Sequence, residues 1–146
     1  MRPSRHVLPA ALVCGLLAAP VVAQAAPASP PLVRPVTTFP DAQFGRVLAT
    51  RSGQALYWWS RERDGRVRCT GSCARAWPPL VVRAGVRIPA TLSGVKGRFG
   101  IVRRPDGRRQ VTYQGLPLYS YAHEGPRRVL CNDVDGWFVA RARGLT

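Results

Sequence analysis

The chain has 146 residues, a length that predicts a single domain. It carries 22 lysine and arginine residues against 7 aspartate and glutamate residues, which gives a formal net charge of +15 at pH 7. Such a charge favours anionic partners. The arginines are scattered along the chain and are not grouped on one helix face, so the charge alone does not indicate a specific nucleic-acid site.

The N-terminal segment has the pattern of a secretory signal peptide. Arg2 and Arg5 give a positive start, residues 7–19 are apolar, and Ala23 and Ala25 are the small residues that a signal peptidase reads. We therefore predict that residues 1–25 are removed and that the protein is secreted, or extracytoplasmic. The loss of two arginines leaves 20 basic against 7 acidic residues, a mature net charge of +13.

Two alternatives would keep this segment in or on a membrane. An uncleaved anchor needs about 20 mostly apolar residues, and two prolines and a glutamine interrupt the run. Lipid attachment at Cys14 requires a small residue before it and a leucine three residues before, where the chain has Val13 and Ala11. We predict cleavage instead, no lipid at Cys14, and no transmembrane segment in the mature form.

Residues 26–43 contain five prolines among mostly small residues. Proline is excluded from helix interiors and from central strands, so this segment is predicted to be an extended linker. The folded domain is then expected to span residues 44–146.

After the linker, short apolar runs alternate with turn residues, a pattern that predicts an all-β, mainly antiparallel domain with little helix. The strand of residues 55–60 is expected to form a hairpin with residues 46–50 and to carry apolar groups on both faces, so that both faces are covered. Residues 74–77 are expected to form one helical turn and residues 84–97 a loop. The predicted strands are residues 46–50, 55–60, 80–82, 98–103, 109–113, 116–121 and 137–141.

A short pattern occurs once in each half of the chain: a tyrosine, an aromatic residue two places on and a glutamate three places further. It predicts two related hairpin or meander repeats, at about residues 44–82 and 98–143. Alternating aromatic residues of a strand usually belong to a core, with the tyrosine hydroxyl hydrogen-bonded. The carboxylates would then accept hydrogen bonds from turn amides or pair with arginine. The alternative is that these residues face a ligand: Tyr57, Trp59, Glu62, Tyr119, Tyr121 and Glu124.

The predicted mature chain has three cysteines, Cys69, Cys73 and Cys131, and an exported protein is expected to form disulfides. An odd number leaves one thiol over, or one pairing between chains. Loop-closure entropy gives roughly 2 kcal/mol for the five-residue ring from Cys69 to Cys73 and roughly 4 kcal/mol for a bridge to Cys131. Entropy alone therefore favours the long bridge, and the residues leave the pairing open.

No set of residues forms a convincing catalytic or metal centre. A zinc site needs four ligands, and His123 is the single histidine after the predicted signal peptide. Its neighbour Glu124 would face the opposite side of a strand, so the two do not cooperate readily. Residues 132–136 resemble part of a calcium loop but lack its later glutamate, and a turn is predicted there. We predict no catalytic residue, no metal and no cofactor.

Several segments together resemble the bacterial secreted repeat family named for its Yx(FWY)xxD motif, often described as predicted lipoproteins. The segments are LYWWSRERDG, CTGSCARAWPPL, GRRQVTYQGLPLYSYAHE and DGWFV, and the resemblance covers residues 44–143. Glu62 and Glu124 stand where the family usually has aspartate. The resemblance implies a bridge between Cys69 and Cys73, because relatives commonly carry this pair without a third cysteine; Cys131 would be free.

The expected function is that of a secreted, cell-envelope-associated structural or binding module without enzymatic activity. Its expected partners are anionic envelope polymers or a lipid surface, and not a specific nucleic acid. One alternative is an extracytoplasmic protein that binds a small ligand or a metal through the tyrosine and tryptophan faces. A less favoured alternative is a redox or hydrolytic enzyme that uses Cys131 or His123.

Overall fold

The computed structural model describes residues 26–145, so the predicted signal peptide and Cys14 lie outside the described residues. Within this range the chain consists mainly of short strands, which confirms the predicted all-β, mainly antiparallel class with little helix. A 3-10 turn at Ser60–Glu62 follows β3. The other elements are β1 (Val36–Asp41), β2 (Gly45–Thr50), β3 (Tyr57–Trp59), α1 (Gly71–Ala76), β4 (Val81–Val82), β5 (Phe99–Arg103), β6 (Arg109–Tyr113), β7 (Leu116–Pro117) and β8 (Trp137–Val139).

The first two strands form an antiparallel hairpin in which Val36 lies opposite Thr50. The carboxylate of Asp41 accepts hydrogen bonds from the backbone N–H groups of Gln43 and Phe44, each at 2.9 Å. A short polar side chain that satisfies two turn amides is a common way to fix such a connection. The turn therefore holds β1 against the strand that follows it.

The prediction of a linker over residues 26–43 is wrong for the part that forms β1. The prolines argued against a central strand, but among the described residues β1 pairs on one side only, with β2. Proline is tolerated in such an edge strand, which explains Pro40 within β1. Farther upstream, residues 31–33 exchange backbone hydrogen bonds with Arg87. The folded part of the chain thus begins before residue 44.

The third strand pairs antiparallel with the last, and Trp58 lies opposite Phe138. The predicted hairpin between β2 and β3 is correct only next to its turn, where Ala49 and Ala55 form an isolated bridge. Beyond that bridge the main partner of β2 is β1, and β3 continues towards β8. Side-chain alternation predicts the faces of a strand but does not identify its partner, which is why this pairing was missed.

The third sheet has the order β4–β6–β5, with β7 also paired to β6. In the hairpin of β5 and β6, Arg103 lies directly opposite Arg109. The strand predicted over residues 116–121 is regular only at Leu116–Pro117, after which Tyr119 makes isolated bridges. This irregular stretch leads the chain from the third sheet into the centre of the domain.

Two cyclic sets of backbone hydrogen bonds connect residues of the two predicted repeats. In the first set, Leu48 N–H donates to Ala140 at 2.8 Å, Ala140 donates to Leu56 at 2.7 Å, and Leu56 donates to Leu48 at 2.8 Å. The second set runs in the same order at 2.8–3.0 Å and joins Val111, Leu80 and Leu118. Each set takes two residues from one predicted repeat and one residue from the other. The two halves of the chain are therefore interleaved.

Strand β3 separates two apolar clusters. Leu56 and Trp58 lie in a cluster that also contains Phe99. Tyr57 lies on the opposite face, in a cluster with Trp137. The prediction that both faces of this strand are covered is confirmed.

The short helix α1 begins at Gly71, three residues before the predicted helical turn, and it ends just before Trp77. The two prolines that follow Trp77 cannot continue a helix, as predicted from the sequence. Within residues 26–145, no helix has the length and apolar character needed to cross a membrane.

Candidate functional site

The two motif tyrosines pair through their backbones at the centre of the domain. Tyr57 N–H donates to the Tyr119 carbonyl at 2.8 Å, and Tyr119 N–H donates to the Tyr57 carbonyl at 2.9 Å. Both residues have a relative exposure of 0%. Neither tyrosine ring therefore lines an open cleft, and the interpretation of these rings as core fits their positions.

The hydroxyl of the first tyrosine is bound by the glutamate of the second motif. Tyr57 Oη donates to Glu124 Oε1 at 2.6 Å, and the N–H of Leu130 donates to the same oxygen at 2.6 Å. Glu124 is 4% exposed, and its Oε2 has no hydrogen-bond partner among the described residues. The second motif thus supplies the acceptor that the first motif needs.

The hydroxyl of the second tyrosine is bound by the glutamate of the first motif. The Tyr119 hydroxyl lies 3.0 Å from Oε1 and 2.9 Å from Oε2 of Glu62, which is fully buried. The backbone N–H groups of Arg68 and Cys69 donate to Oε1 of Glu62 at 2.6 and 2.9 Å. Of the two predicted kinds of partner, both glutamates accept hydrogen bonds from backbone amides, which lie in loop segments outside the turns. Leu130 follows Arg68 in the sequence by the same interval that separates the two tyrosines.

Burial changes the acid–base behaviour of both pairs. It raises the pKa of Tyr57 and of Tyr119 well above the ordinary tyrosine value, and the neighbouring glutamates raise both pKa values further. Burial also raises the pKa of Glu124, against the hydrogen bonds from Tyr57 and Leu130. The tyrosine hydroxyls consequently remain protonated and serve as donors.

A buried arginine supports the second pair, and the sequence analysis did not single it out. Arg104 is 2% exposed; its Nη1 donates to Gln110 Oε1 at 2.5 Å and its Nη2 donates to the Cys69 carbonyl at 2.8 Å. Gln110 in turn donates to the Leu118 carbonyl at 2.8 Å. Cys69 is therefore held at its N–H by Glu62 and at its carbonyl by Arg104. No feature of the sequence distinguishes Arg104 from the exposed arginines beside it.

The remaining motif aromatics lie at the ends of a stack of rings. Trp59 stacks on Trp137 at 5.2 Å between centroids, Trp137 on Trp77 at 3.9 Å, and Trp77 contacts Tyr121 at 4.8 Å. The two inner tryptophans are buried, whereas Trp59 and Tyr121 are half-buried. Of the six motif residues, these two are the ones that keep contact with solvent, and the stack as a whole packs the core.

The predicted disulfide between Cys69 and Cys73 is confirmed, with a Cα–Cα distance of 5.2 Å. Loop-closure entropy favoured a bridge to Cys131, but the fold brings the near pair within bonding distance. Cys131 is a half-buried free thiol, and it follows Cys69 by the same interval that separates the motif tyrosines. Burial, and then the charge of Glu124, raise the pKa of this thiol, which lowers the thiolate fraction that a redox nucleophile requires.

His123 and Glu124 were predicted to face opposite sides of a strand, but neither residue lies in a strand. His123 is exposed and its ring contacts that of Tyr121 at 5.4 Å, whereas Glu124 is buried. The two side chains therefore lie in different environments and do not form an acid–base pair. Among residues 26–145, no group of three or more His, Cys, Asp or Glu side chains could hold a metal ion.

Residues 132–136 form the predicted turn. Asn132 Oδ1 accepts a hydrogen bond from Val139 N–H at 3.1 Å, and the backbone of Asp133 and Asp135 has positive φ. Gly136 has φ +79°, and a Cβ there would lie 2.4 Å from Ser60 Oγ. Glycine is favoured at this position because the positive φ would strain a side chain and a Cβ would force the Ser60 hydroxyl to move.

Comparison with family models, with curated proteins and with solved structures finds no significant match to this chain. The resemblance to the Yx(FWY)xxD family therefore stays a prediction.

Proposed function

We propose that this protein is a secreted module of the cell envelope that binds anionic polymers or lipid headgroups through its arginine-rich surface. The two aromatic motifs build the domain, and the exposed cations make the contacts with partners. In this proposal the two motifs belong to an internal repeat, and the protein is not an enzyme.

The observation that carries the proposal is the burial of the two crossed pairs. Tyr57 and Tyr119 are fully buried and their hydroxyls are bound to glutamates, so they are not available to a ligand. The two motif tyrosines are separated by the same number of residues as Arg68 and Leu130, whose backbone amides donate to the two glutamates. This constant spacing supports an internal duplication in which each half completes the core of the other. In this proposal the domain binds other molecules mainly through its exposed positive charges.

The charge supports an anionic partner outside the cytoplasm. The chain without its predicted signal peptide has a net charge of +13, and a surface of this kind attracts polyanions through a salt-dependent interaction. The Cys69–Cys73 disulfide is compatible with an oxidising, extracytoplasmic compartment.

The proposal is tested by binding of the purified mature protein to isolated envelope fractions and to vesicles with and without anionic lipid. We expect binding at low ionic strength that falls as salt is added, since exposed charges are screened over about 10 Å at 0.1 M salt. Uncharged vesicles serve as the control. The absence of binding to any anionic material at low salt would refute the proposed function.

A further inference from the structure

We propose that an open groove at the end of the third sheet, lined by Arg83, Arg103, Arg108 and Arg109, binds a linear polymer that has phosphate groups in its backbone and carries no nucleobases. This assignment rests on the proposed function and narrows it to one surface and one ligand chemistry. The groove has a volume of about 550 Å³ and includes the exposed ends of β4, β5 and β6.

The fold brings these arginines together from separate parts of the chain. Arg83 directly follows β4, Arg103 ends β5, and Arg109 begins β6. In the register of the sheet, Val82 lies opposite Arg109 and Arg109 lies opposite Arg103. Directly opposed residues of antiparallel strands point to the same face, and like charges in this position repel each other. A bound anion would relieve this repulsion.

The arginines that line the groove outnumber its carboxylates. Asp106 is the single carboxylate among its lining residues, and it already accepts hydrogen bonds from Arg104 Nε at 3.3 Å and Arg108 Nη2 at 2.8 Å. Among the described residues, no ion pair holds Arg83, Arg103 or Arg109. Three guanidinium groups of the groove therefore lack a counter-ion among the described residues.

Backbone carbonyls orient two of these guanidinium groups without cancelling their charge. Arg109 Nη1 donates to the carbonyls of Arg83 at 2.8 Å and Val86 at 3.0 Å, and Arg103 Nη1 donates to the Gly107 carbonyl at 3.1 Å. Each group keeps further N–H donors for a ligand. Cationic groups that are already held in place lose less entropy on binding, which favours affinity.

The chemistry of the lining favours a phosphate chain over the other polyanions. Every cation of the groove is arginine, whose planar fork matches the oxygens of a phosphate. The lining contains no aromatic residue on which nucleic-acid bases could stack, so single-stranded nucleic acid lacks its usual platform. The surface is concave, which suits a chain better than a flat lipid headgroup layer.

The test compares three forms of the mature protein by fluorescence anisotropy with labelled linear inorganic polyphosphate at low salt. The groove variant is Arg83→Gln/Arg103→Gln, and the matched control is Arg51→Gln/Arg75→Gln, which removes the same charge from positions outside the groove lining. We expect the groove variant to lose at least about tenfold in affinity and about 1.4–1.8 units of salt slope, and the control to change in affinity by about twofold or less.

Each result decides between the proposals. If the wild type binds and both variants lose affinity equally, the groove assignment is wrong while the proposed function stands. If the wild type binds no polyanion, both are wrong. Tighter binding to single-stranded DNA, or binding to phosphatidylglycerol vesicles with none to polyphosphate, would also overturn the assignment of a phosphate chain without nucleobases. A circular dichroism spectrum equal to that of the wild type shows that each variant is folded.

Discussion

The hydroxyl of Tyr57 donates a 2.6 Å hydrogen bond to Glu124, a residue 67 positions away in the second motif. The Tyr119 hydroxyl makes the corresponding contact with Glu62 of the first motif at 2.9 Å. Neither half of the chain can complete its tyrosine–glutamate pair alone. The domain is therefore expected to fold as one unit in which both motifs are required.

Substitution of Glu124 is expected to reveal its role as a buried acceptor. Glu124→Ala leaves the Tyr57 hydroxyl and the Leu130 N–H without a partner and should lower the free energy of unfolding by about 2–3 kcal/mol. Glu124→Gln keeps an acceptor oxygen and should cost clearly less. Urea unfolding of both variants measures the difference. An equal loss of unfolding free energy in Glu124→Ala and Glu124→Gln would show that the acceptor oxygen is unimportant.

Glu124 is also expected to make the stability of the domain depend on pH. Burial raises the pKa of Glu124 in the folded state, so the folded state holds its proton more tightly than the unfolded state does. The stabilisation that comes from this tighter proton binding is fully present below the pKa of Glu124 in the unfolded state, about 4.3. It is lost as the pH rises through the higher pKa of Glu124 in the folded state. The stability of Glu124→Gln relative to the wild type should therefore improve as the pH rises above about 4. Parallel stability curves above this pH would contradict the prediction.

Alkaline pH is expected to unfold the domain through its tyrosines. The folded pKa values of Tyr57 and Tyr119 are raised by burial, so the stability that depends on their hydroxyl protons is lost as the pH rises above the unfolded value of about 10. Ultraviolet absorbance of tyrosinate and circular dichroism, followed together, measure this. We expect part of the ionisation to coincide with unfolding, and Tyr57→Phe to reduce that part. Complete ionisation of a folded protein would contradict it.

The fold class and the location of the two motifs could be predicted, because both depend on local patterns of turns and alternating side chains. The crossed pairing could not, because alternation places Tyr57 on a face but does not say which glutamate reaches that face. β1 was missed for a related reason: proline argues against a central strand, and only the sheet order shows that β1 lies at an edge. Arg104 was missed because its burial depends on the turn after β5.

Arg104 is predicted to be the arginine on which stability depends most. Arg104→Met leaves the Cys69 carbonyl and Gln110 without their donor in the interior, and should destabilise the domain by about 3 kcal/mol. The exposed neighbour Arg103 is the control, and Arg103→Met should change stability by no more than about 0.5 kcal/mol. Thermal and urea unfolding compare the two, and similar effects would contradict the structural role of Arg104.

The disulfide is expected to stabilise the domain modestly. The ring from Cys69 to Cys73 is short, so its removal in Cys69→Ser/Cys73→Ser should cost roughly 2 kcal/mol from loop-closure entropy. Mass spectrometry of the alkylated, unreduced protein should find one modified cysteine, Cys131, in the predicted mature chain. Modification of Cys69 or Cys73 in place of Cys131 would show a different pairing.

The most direct test of the account is a pair of double-mutant cycles on the free energy of unfolding. One cycle combines Tyr57→Phe with Glu124→Met, and the other combines Tyr57→Phe with Glu62→Met. We predict a coupling of about 1.5 kcal/mol or more for Tyr57 with Glu124, and less than about 0.5 kcal/mol for Tyr57 with Glu62 of its own motif. Stronger coupling within the motif, or no coupling in either cycle, would contradict the crossed arrangement that holds the two halves together.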